Sequence, residues 1–410
     1  MFSARRECSR EQALHEIEGI LLGALRRVVE ARGLHATDVL VLSRAHEVCD
    51  EGGVRFSYDR PLVRSNAGTR GSMAQLAQLW VLLAAVHHGL ACGRKTTLRE
   101  LWYRLKTSRL FSSPAQVSAK LHEVCAAVSC RAALPCPREA LGVIAAPRGN
   151  MTGCVVLLQP GAPPLSLRQS TFEIPGDPHA IRAIRFDEAR SHARCVLVVE
   201  KDSCFRRLID EGFTATHYPC VLLTACGFPD LASRAMVRHV VEQLDLPAYA
   251  ITDYNPHGMA LMLCFKHGSA ALGLEQHCCP RLQWLGLHAM DVHHPTPLCG
   301  KEVELPAAAF QPFGARDSAV MAGLLRRACV RSDPRLWPEA VAMHEAGIKV
   351  ELEELLSFGF EYLARLVLHK ILHYTSVPSP SRPEERRAEE RSEPTRPATE
   401  ETVEVDLFAE

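Results

Sequence analysis

Helical spacing of apolar residues recurs along the first third of the chain. Leu14, Ile17, Leu21, Leu25 and Val28 form one stripe over residues 9–32, and Ser9 with Gln12 makes a capping-box pattern at its start. A polar, Gly-containing stretch, 36–71, separates this helix from the rest, leaving two readings open: ordinary core packing, or a helix that docks a separate partner protein. Met73, Leu76, Trp80, Leu83 and Val86 lie on one side of a second helix over 72–90, stopped by Gly93. Thr97-Leu-Arg-Glu100 opens a third helix through Lys106, and Ser113-Pro114 starts a fourth that runs to about residue 128. Then come an apolar run at 141–146, a Gly-rich turn at 147–153 and a second apolar run at 154–158, which predicts a β-hairpin. Three closely spaced helices followed by a hairpin is the order of a winged helix, whose third helix can enter a major groove.

After a loop-rich boundary at 160–178 the pattern changes. Short apolar runs at 195–200, 220–224 and 248–252 alternate with helical segments at 202–212, 231–244 and 257–267. Such alternation predicts a parallel sheet with helices on both faces. A last helix over 349–371 carries Leu352, Leu355, Leu356, Tyr362 and Leu366 on one side. Beyond Val377 the Pro, Arg and Glu-rich tail has too little apolar content to fold. The chain therefore divides into an N-terminal helix and linker (1–69), a winged-helix unit (70–160), an α/β unit with its C-terminal helix (161–375) and a disordered tail (376–410).

Charge sharpens this picture. The formal net charge is zero, yet the segment from Pro378 onward holds 5 Arg against 10 Asp and Glu, so the body carries a positive excess. Within it, 94–139 has nine Lys and Arg against three Glu. A basic cluster falling on a winged helix points to DNA rather than to a merely solvated face. None of the 16 cysteines is spaced C-x2-C, which removes a zinc signature; most lie in apolar runs, as expected in a reducing intracellular compartment. No signal peptide and no run of about 18 apolar residues is evident, so no membrane partner is expected.

Two of the buried runs end in carboxylates. Cys195-Val-Leu-Val-Val leads to Glu200, and Tyr249-Ala-Ile leads to Asp253 before Asn255-Pro256 turns the chain into a helix. Open α/β sheets place their chemistry at the C-terminal lips of such strands. Two neighbouring carboxylates there can share a hard cation such as Mg²⁺, although a lone strand-end Asp often only caps the next helix.

Several motifs in order give a resemblance. Arg99-Glu-Leu-Trp-Tyr103 resembles the tyrosine motif of the topoisomerase VI A-subunit family. Glu200-Lys-Asp, Gly227-Phe-Pro-Asp230, Ser233-Arg234, Asp253-Tyr-Asn-Pro-His-Gly258 and Trp284-Leu-Gly286 are similar to the rest of its signature, and 352–372 to its C-terminal helix. The likeness covers roughly 70–372 and is greatest to the eukaryotic meiotic branch, whose members make programmed double-strand breaks. It implies a winged-helix (CAP-like) domain joined to a Toprim domain, and a homodimer on double-stranded DNA in which the tyrosine of one protomer works with the metal site of the other. It also implies nuclear location and a topoisomerase VI B-like ATPase partner bound to the N-terminal region, here the 9–32 helix.

The implied chemistry is transesterification. Tyr103 attacks a phosphodiester, leaving a 5′-phosphotyrosyl link and a free 3′-hydroxyl. Arg99, four residues earlier on the same helical face, donates a forked pair of hydrogen bonds to the phosphate. Glu200, Asp253 and Asn255 take the metal role, and Trp102 reads as packing. On spacing alone Tyr103 reads better as a half-buried helix tyrosine, and it is the resemblance that reverses this; the lesser reading of Asn255 is a turn residue before Pro256 with no metal role. The chain departs from the family pattern at Asn255, where a second acidic residue is usual, and at Cys226, where many relatives carry lysine. Three other readings stay open: the cleaving component of a strand-passing topoisomerase, a non-catalytic DNA-binding scaffold, and a Toprim nuclease or primase, which would lack the tyrosine unit.

Overall fold

Two separate apolar cores organise the chain in the computed structural model, which describes residues 8–30, 40–50, 53–64, 70–144, 147–268, 277–295, 298 and 304–376. The tail lies outside the described residues.

The first core gathers helices. Helix α1 (Arg10–Glu30) begins with the predicted box: the Gln12 N–H donates to Ser9 Oγ at 3.2 Å, and the Ser9 N–H to Gln12 Oε1 at 2.9 Å. It does pack on the body, burying Ala13, Ile17, Ile20 and Ala24. The buried face is rotated from the predicted stripe because two alanines allow close approach, while Leu22, Leu25 and Val29 stay more than half exposed. Within the stretch read as linker, two long strands, β1 (Leu40–Asp50) and β2 (Gly53–Arg64), pair antiparallel from Leu40 with Arg64 to Asp50 with Gly53. The Gly-Gly step at 52–53 was the available signal.

Helix α2 (Arg70–Ala91) follows, and its residues 73–91 are long and apolar enough, by length and composition, to cross a membrane. The expectation that no such segment exists is thereby corrected. Leu79, Leu82, Leu83 and Leu90 are nonetheless buried in the helical core, so α2 is a core helix. The two-residue strand β3 (Thr96–Thr97), α3 (Leu98–Lys106), α4 (Pro114–Ala132) and β4 (Val143–Ile144) complete the unit.

The predicted hairpin does not form. β4 pairs in parallel with β3, and the next strand, β5 (Asn150–Gly153), joins the sheet of the second core. Apolar runs of this length say that a strand exists but not which strand it pairs with.

Strands β6 (Val156–Leu158), β7 (Leu165–Ser166), β8 (Phe172–Glu173) and β9 (Arg185–Phe186) surround the short helix α5 (Pro178–Ala183). The predicted alternation then appears within a residue or two: β10 (Val196–Val199), α6 (Asp202–Asp210), β11 (Val221–Thr224), α7 (Leu231–Leu244), β12 (Ala248–Ile251) and α8 (Pro256–His267), followed by a further strand beyond the predicted ones, β13 (Leu282–Gly286). The sheet runs β13-β12-β10-β11-β5-β8; the first four strands are parallel, β5 runs against β11, and β8 runs against β5. Every residue of β10, β11 and β12 is buried, as strands covered on both faces must be. The chain leaves β10 to one side for β11 and returns to its other side for β12. The C-terminal end of β10 is therefore the switch point at which such sheets open a crevice.

Short helices α9 (Ala289–His293), α10 (Ala315–Arg326), α11 (Ala328–Arg331) and α12 (Leu336–Ala346) and the strand pair β14 (Gln311–Pro312) and β15 (Ile348–Lys349) lead to α13 (Tyr362–Ser376). The single helix expected over 349–371 is broken. Lys349 lies in β15, 352–358 is a 3₁₀ turn, and Gly359 at φ +99° with Glu361 at φ +67° reorients the chain before α13. Lys95 and Asp177 form an ion pair between the helical unit and the start of α5.

Gly153 seats β5 on β11. Its φ is +124°, and a Cβ there would collide with the carbonyl oxygen of Cys220. Gly153→Ala should therefore cost several kcal/mol, read as a large fall in Tm or loss of soluble protein. Gly161→Ala, at φ +74° with open space around it, should cost only about 1 kcal/mol.

Candidate active site

Helix α3 is amphipathic in a way that decides where its tyrosine points. The Thr97–Glu100 box fixes the first turn, with the Glu100 N–H donating to Thr97 Oγ1 at 3.2 Å and the Thr97 N–H to Glu100 Oε2 at 2.7 Å. Leu101 and Leu105 are buried one turn apart, so the opposite face turns outward. Arg99 and Tyr103 share that face, and Tyr103 is 52% exposed. Neither side chain makes a hydrogen bond or ion pair with any described residue. Trp102 is partly buried on the core, as read from its position, but its ring also lies 4.6 Å from that of Tyr103, tilted by 51°, and Lys106 Nζ sits 5.1 Å above the Trp102 ring. Tyr103 opens onto a cavity of about 640 Å³ whose walls include His88, Arg94, Lys95 and Arg104.

The carboxylates meet at the switch point. Glu200 follows β10 directly, and its Oε2 accepts from the Asp253 N–H at 2.8 Å, joining the lips of β10 and β12. Asp253 Oδ1 accepts from the Leu352 N–H at 2.8 Å. Asn255 is the N-cap of α8, its Oδ1 accepting from the Gly258 N–H at 2.6 Å; its Nδ2 is 3.5 Å from Asp253 Oδ2, the outer limit of a hydrogen bond. Gly258 is needed for this turn, since a Cβ would come within 2.5 Å of the Asp253 carbonyl oxygen. Cys226 adopts φ +54° in the neighbouring turn, where its thiol donates to the Arg148 carbonyl at 3.2 Å, and the next N–H, of Gly227, donates to the Glu200 carbonyl at 3.0 Å.

Sequence reading missed three residues of this site. Lys201 Nζ lies 3.4 Å from Asp253 Oδ2, 2.8 Å from Glu351 Oε2 and 2.9 Å from Glu353 Oε2. Some 150 positions separate Lys201 from these glutamates, so no local pattern could pair them.

Electrostatics single out the same place. Burial, then the nearby Asp253 carboxylate, push Glu200 up to about 8, and burial raises Asp253 as well, opposed by the Leu352 N–H and by Lys201. Two carboxylates short of positive charge, with an amide oxygen beside them, form a hard oxygen donor set of the kind Mg²⁺ takes. Among the described residues no group of three or more His, Cys, Asp and Glu gathers as a metal cage.

The structure joins Glu200, Asp253 and Asn255 and keeps Tyr103 and Arg99 apart from them. Helix α3 packs on α2, α4, β3 and β4, and none of the three lip residues lines the Tyr103 cavity.

Residues 195–371 match the family model for the Toprim domain of the topoisomerase 6 A-subunit and Spo11, and residues 74–143 match that for type IIB DNA topoisomerase. Similar proteins include meiotic recombination protein SPO11-2 of Oryza sativa subsp. indica, 31% identical over 332 residues, 79% of this chain and 80% of that one. Human meiotic recombination protein SPO11 is 26% identical over 297 residues, 72% and 70% of the two chains. The A3 subunit of DNA topoisomerase 6 from Oryza sativa subsp. indica is 29% identical over 289 residues, 70% and 61%. With a Toprim sheet carrying its carboxylates at the switch point and an N-terminal unit of the type IIB kind, this chain belongs to the topoisomerase VI A-subunit/Spo11 family of DNA-cleaving transesterases.

Proposed function

We propose that the chain forms the DNA double-strand breaks that initiate meiotic recombination, with Tyr103 as nucleophile. The observation that carries the assignment of residues is the outward Arg99–Tyr103 face, whose polar side-chain atoms pair with no described residue, set against a separate pair of charge-starved carboxylates. The Tyr103 oxygen bonds to phosphorus as its proton leaves, and the bond from phosphorus to the 3′-oxygen breaks. One phosphodiester is exchanged for a phosphotyrosyl ester, and the 3′-oxygen takes up a proton. A phenol with a free pKa of about 10 is a weak nucleophile, so charge must be met at the phosphate. Arg99 can meet it with its planar fork of donors. Glu200 and Asp253 would hold Mg²⁺, with Asn255 sharing its oxygen between the helix cap and the ion. When bound, Mg²⁺ supplies positive charge to the scissile phosphate and the departing 3′-oxygen.

The separation of Tyr103 from the carboxylate lip supports a homodimer in which each tyrosine serves the partner's lip, one cut per strand. The helical unit is read as the winged helix that seats DNA, and nuclear location follows from the substrate. The exposed Leu22, Leu25 and Val29 stripe of α1 supports docking of a B-like ATPase partner, one face of the helix serving the core and the other the partner. The likeness to a topoisomerase component favours, as a second reading, the same cleavage within a strand-passing complex.

Tyr103→Phe should abolish the covalent 5′ adduct and spare DNA binding, as read by mass spectrometry of nuclease-digested complexes and by mobility shift; an adduct persisting in that variant excludes Tyr103. Arg99→Lys should retain binding and lower adduct yield at least tenfold. Leu22→Glu with Leu25→Glu should end co-purification with a B-like partner while leaving Tm within a few degrees; unchanged co-purification rejects the docking face. In chelator, the stability contributed by the raised Glu200 pKa is present below about 4.5 and lost as pH rises to about 8, because over that window the folded state binds the extra proton. Glu200→Gln should therefore melt several degrees higher than the parent at pH 8.5 and equal it at pH 5, as followed by scanning calorimetry.

A further inference from the structure

The lip of β10 and β12 carries more negative charge than two ligands account for. A strap crosses it. Val350 and Tyr254 exchange both backbone hydrogen bonds, at 2.9 and 3.0 Å, and the Leu352 N–H reaches Asp253 Oδ1 at 2.8 Å. Val350 and Leu352 are fully buried, which fixes the strap and sets Glu351 and Glu353 on either side of Lys201. Glu200, Asp253, Glu351 and Glu353 thus share one small region, and Glu351 is near enough to raise Glu200.

We propose that Lys201 is a built-in cation of this site: its ammonium occupies the place beside Asp253 that a second divalent ion would otherwise take, so the chain binds one divalent ion. An ammonium has three N–H donors and no acceptor. Two donate to Glu351 Oε2 and Glu353 Oε2, at 2.8 and 2.9 Å, the charge pairs with Asp253 Oδ2 at 3.4 Å, and the side chain is only 22% exposed. These carboxylates spread around the ammonium rather than closing on a common point, in keeping with the lack of a metal cage among the described residues. Two-metal sites place their ions about 4 Å apart between shared carboxylates. With Asn255 contributing no charge, Glu200, Asp253, Glu351 and Glu353 gather here with one ammonium, a formal charge of −3 that one divalent ion would bring to −1. Lys201 is in this sense a positioning residue: it holds the second oxygen of Asp253 and the strap without touching substrate.

The inference rests on Glu200 and Asp253 holding the first ion, and the test separates the two. The full-length protein is titrated with Mn²⁺, and bound ion is counted by electron paramagnetic resonance. The parent should bind one Mn²⁺ per chain, and Glu200→Gln should lose it. Lys201→Met, which keeps the apolar stem, should gain a second, weaker ion, and Lys201→Met with Glu351→Gln should return to one. Lys201→Arg, which keeps the charge, should stay at one. A parent that binds two ions with affinities within about tenfold overturns the proposal without any variant, so a Lys201→Met chain that fails to fold does not shelter it. A folded Lys201→Met chain that still binds one ion also overturns it. An ion retained by Glu200→Gln instead refutes the ligand assignment, whatever the Lys201 variants show.

Discussion

Everything at the β10 lip depends on holding Glu200 next to Asp253 away from bulk water. Burying one carboxylate is costly, and burying two side by side is more so unless positive charge or N–H donors meet them. The fold meets part of this cost locally. The Asp253 N–H donates to Glu200, the Leu352 N–H donates to Asp253, and Lys201 brings a full charge. The remainder shows in Glu200, which in the bare protein keeps a proton up to about pH 8. That deficit makes the lip a place for positive charge, in keeping with the Mg²⁺ dependence that a Toprim domain implies. The parallel sheet makes this possible, because only at a switch point do two buried strand ends open onto the same crevice.

The tyrosine half follows the opposite logic. Leu101 and Leu105 drive one face of α3 into the helical core, and the other face is left to solvent with Arg99 and Tyr103 uncommitted. The capping at Thr97 and Glu100 fixes the backbone that carries them, while the two side chains keep their own rotamer freedom. The basic walls of the Tyr103 cavity, including Arg94, Lys95 and Arg104, belong to the same short stretch of chain that gives the sequence its charge excess.

How much of this could be read from the residues depends on the range of the interaction. Strands β10 and β12 were legible because a four-residue apolar run between breakers, ending in a carboxylate, has few other meanings in an alternating α/β pattern. The α3 start was legible because capping chemistry is local. The partner of β5 was not, since Asn150–Gly153 carries nothing that prefers a hairpin over pairing with β11, some 70 residues ahead. The rotated face of α1 escaped because a count of large apolar residues overlooks Ala13 and Ala24. The Lys201 network escaped for the same reason as β5: it is assembled by tertiary closure, from segments 150 residues apart.

The pairing of β5 with the sheet has a mechanical meaning. Between Ile144, the last residue of the helical unit's β4, and Asn150, the first of β5, lie only residues 145–149. Such a connection spans at most about 20 Å when fully extended. The tyrosine helix is thus leashed to the strand beside β11, and Lys95 with Asp177 adds a second, breakable tie. The length of that connection therefore sets an upper bound on how far α3 can lie from the β5 strand of the sheet, whatever the helical unit binds.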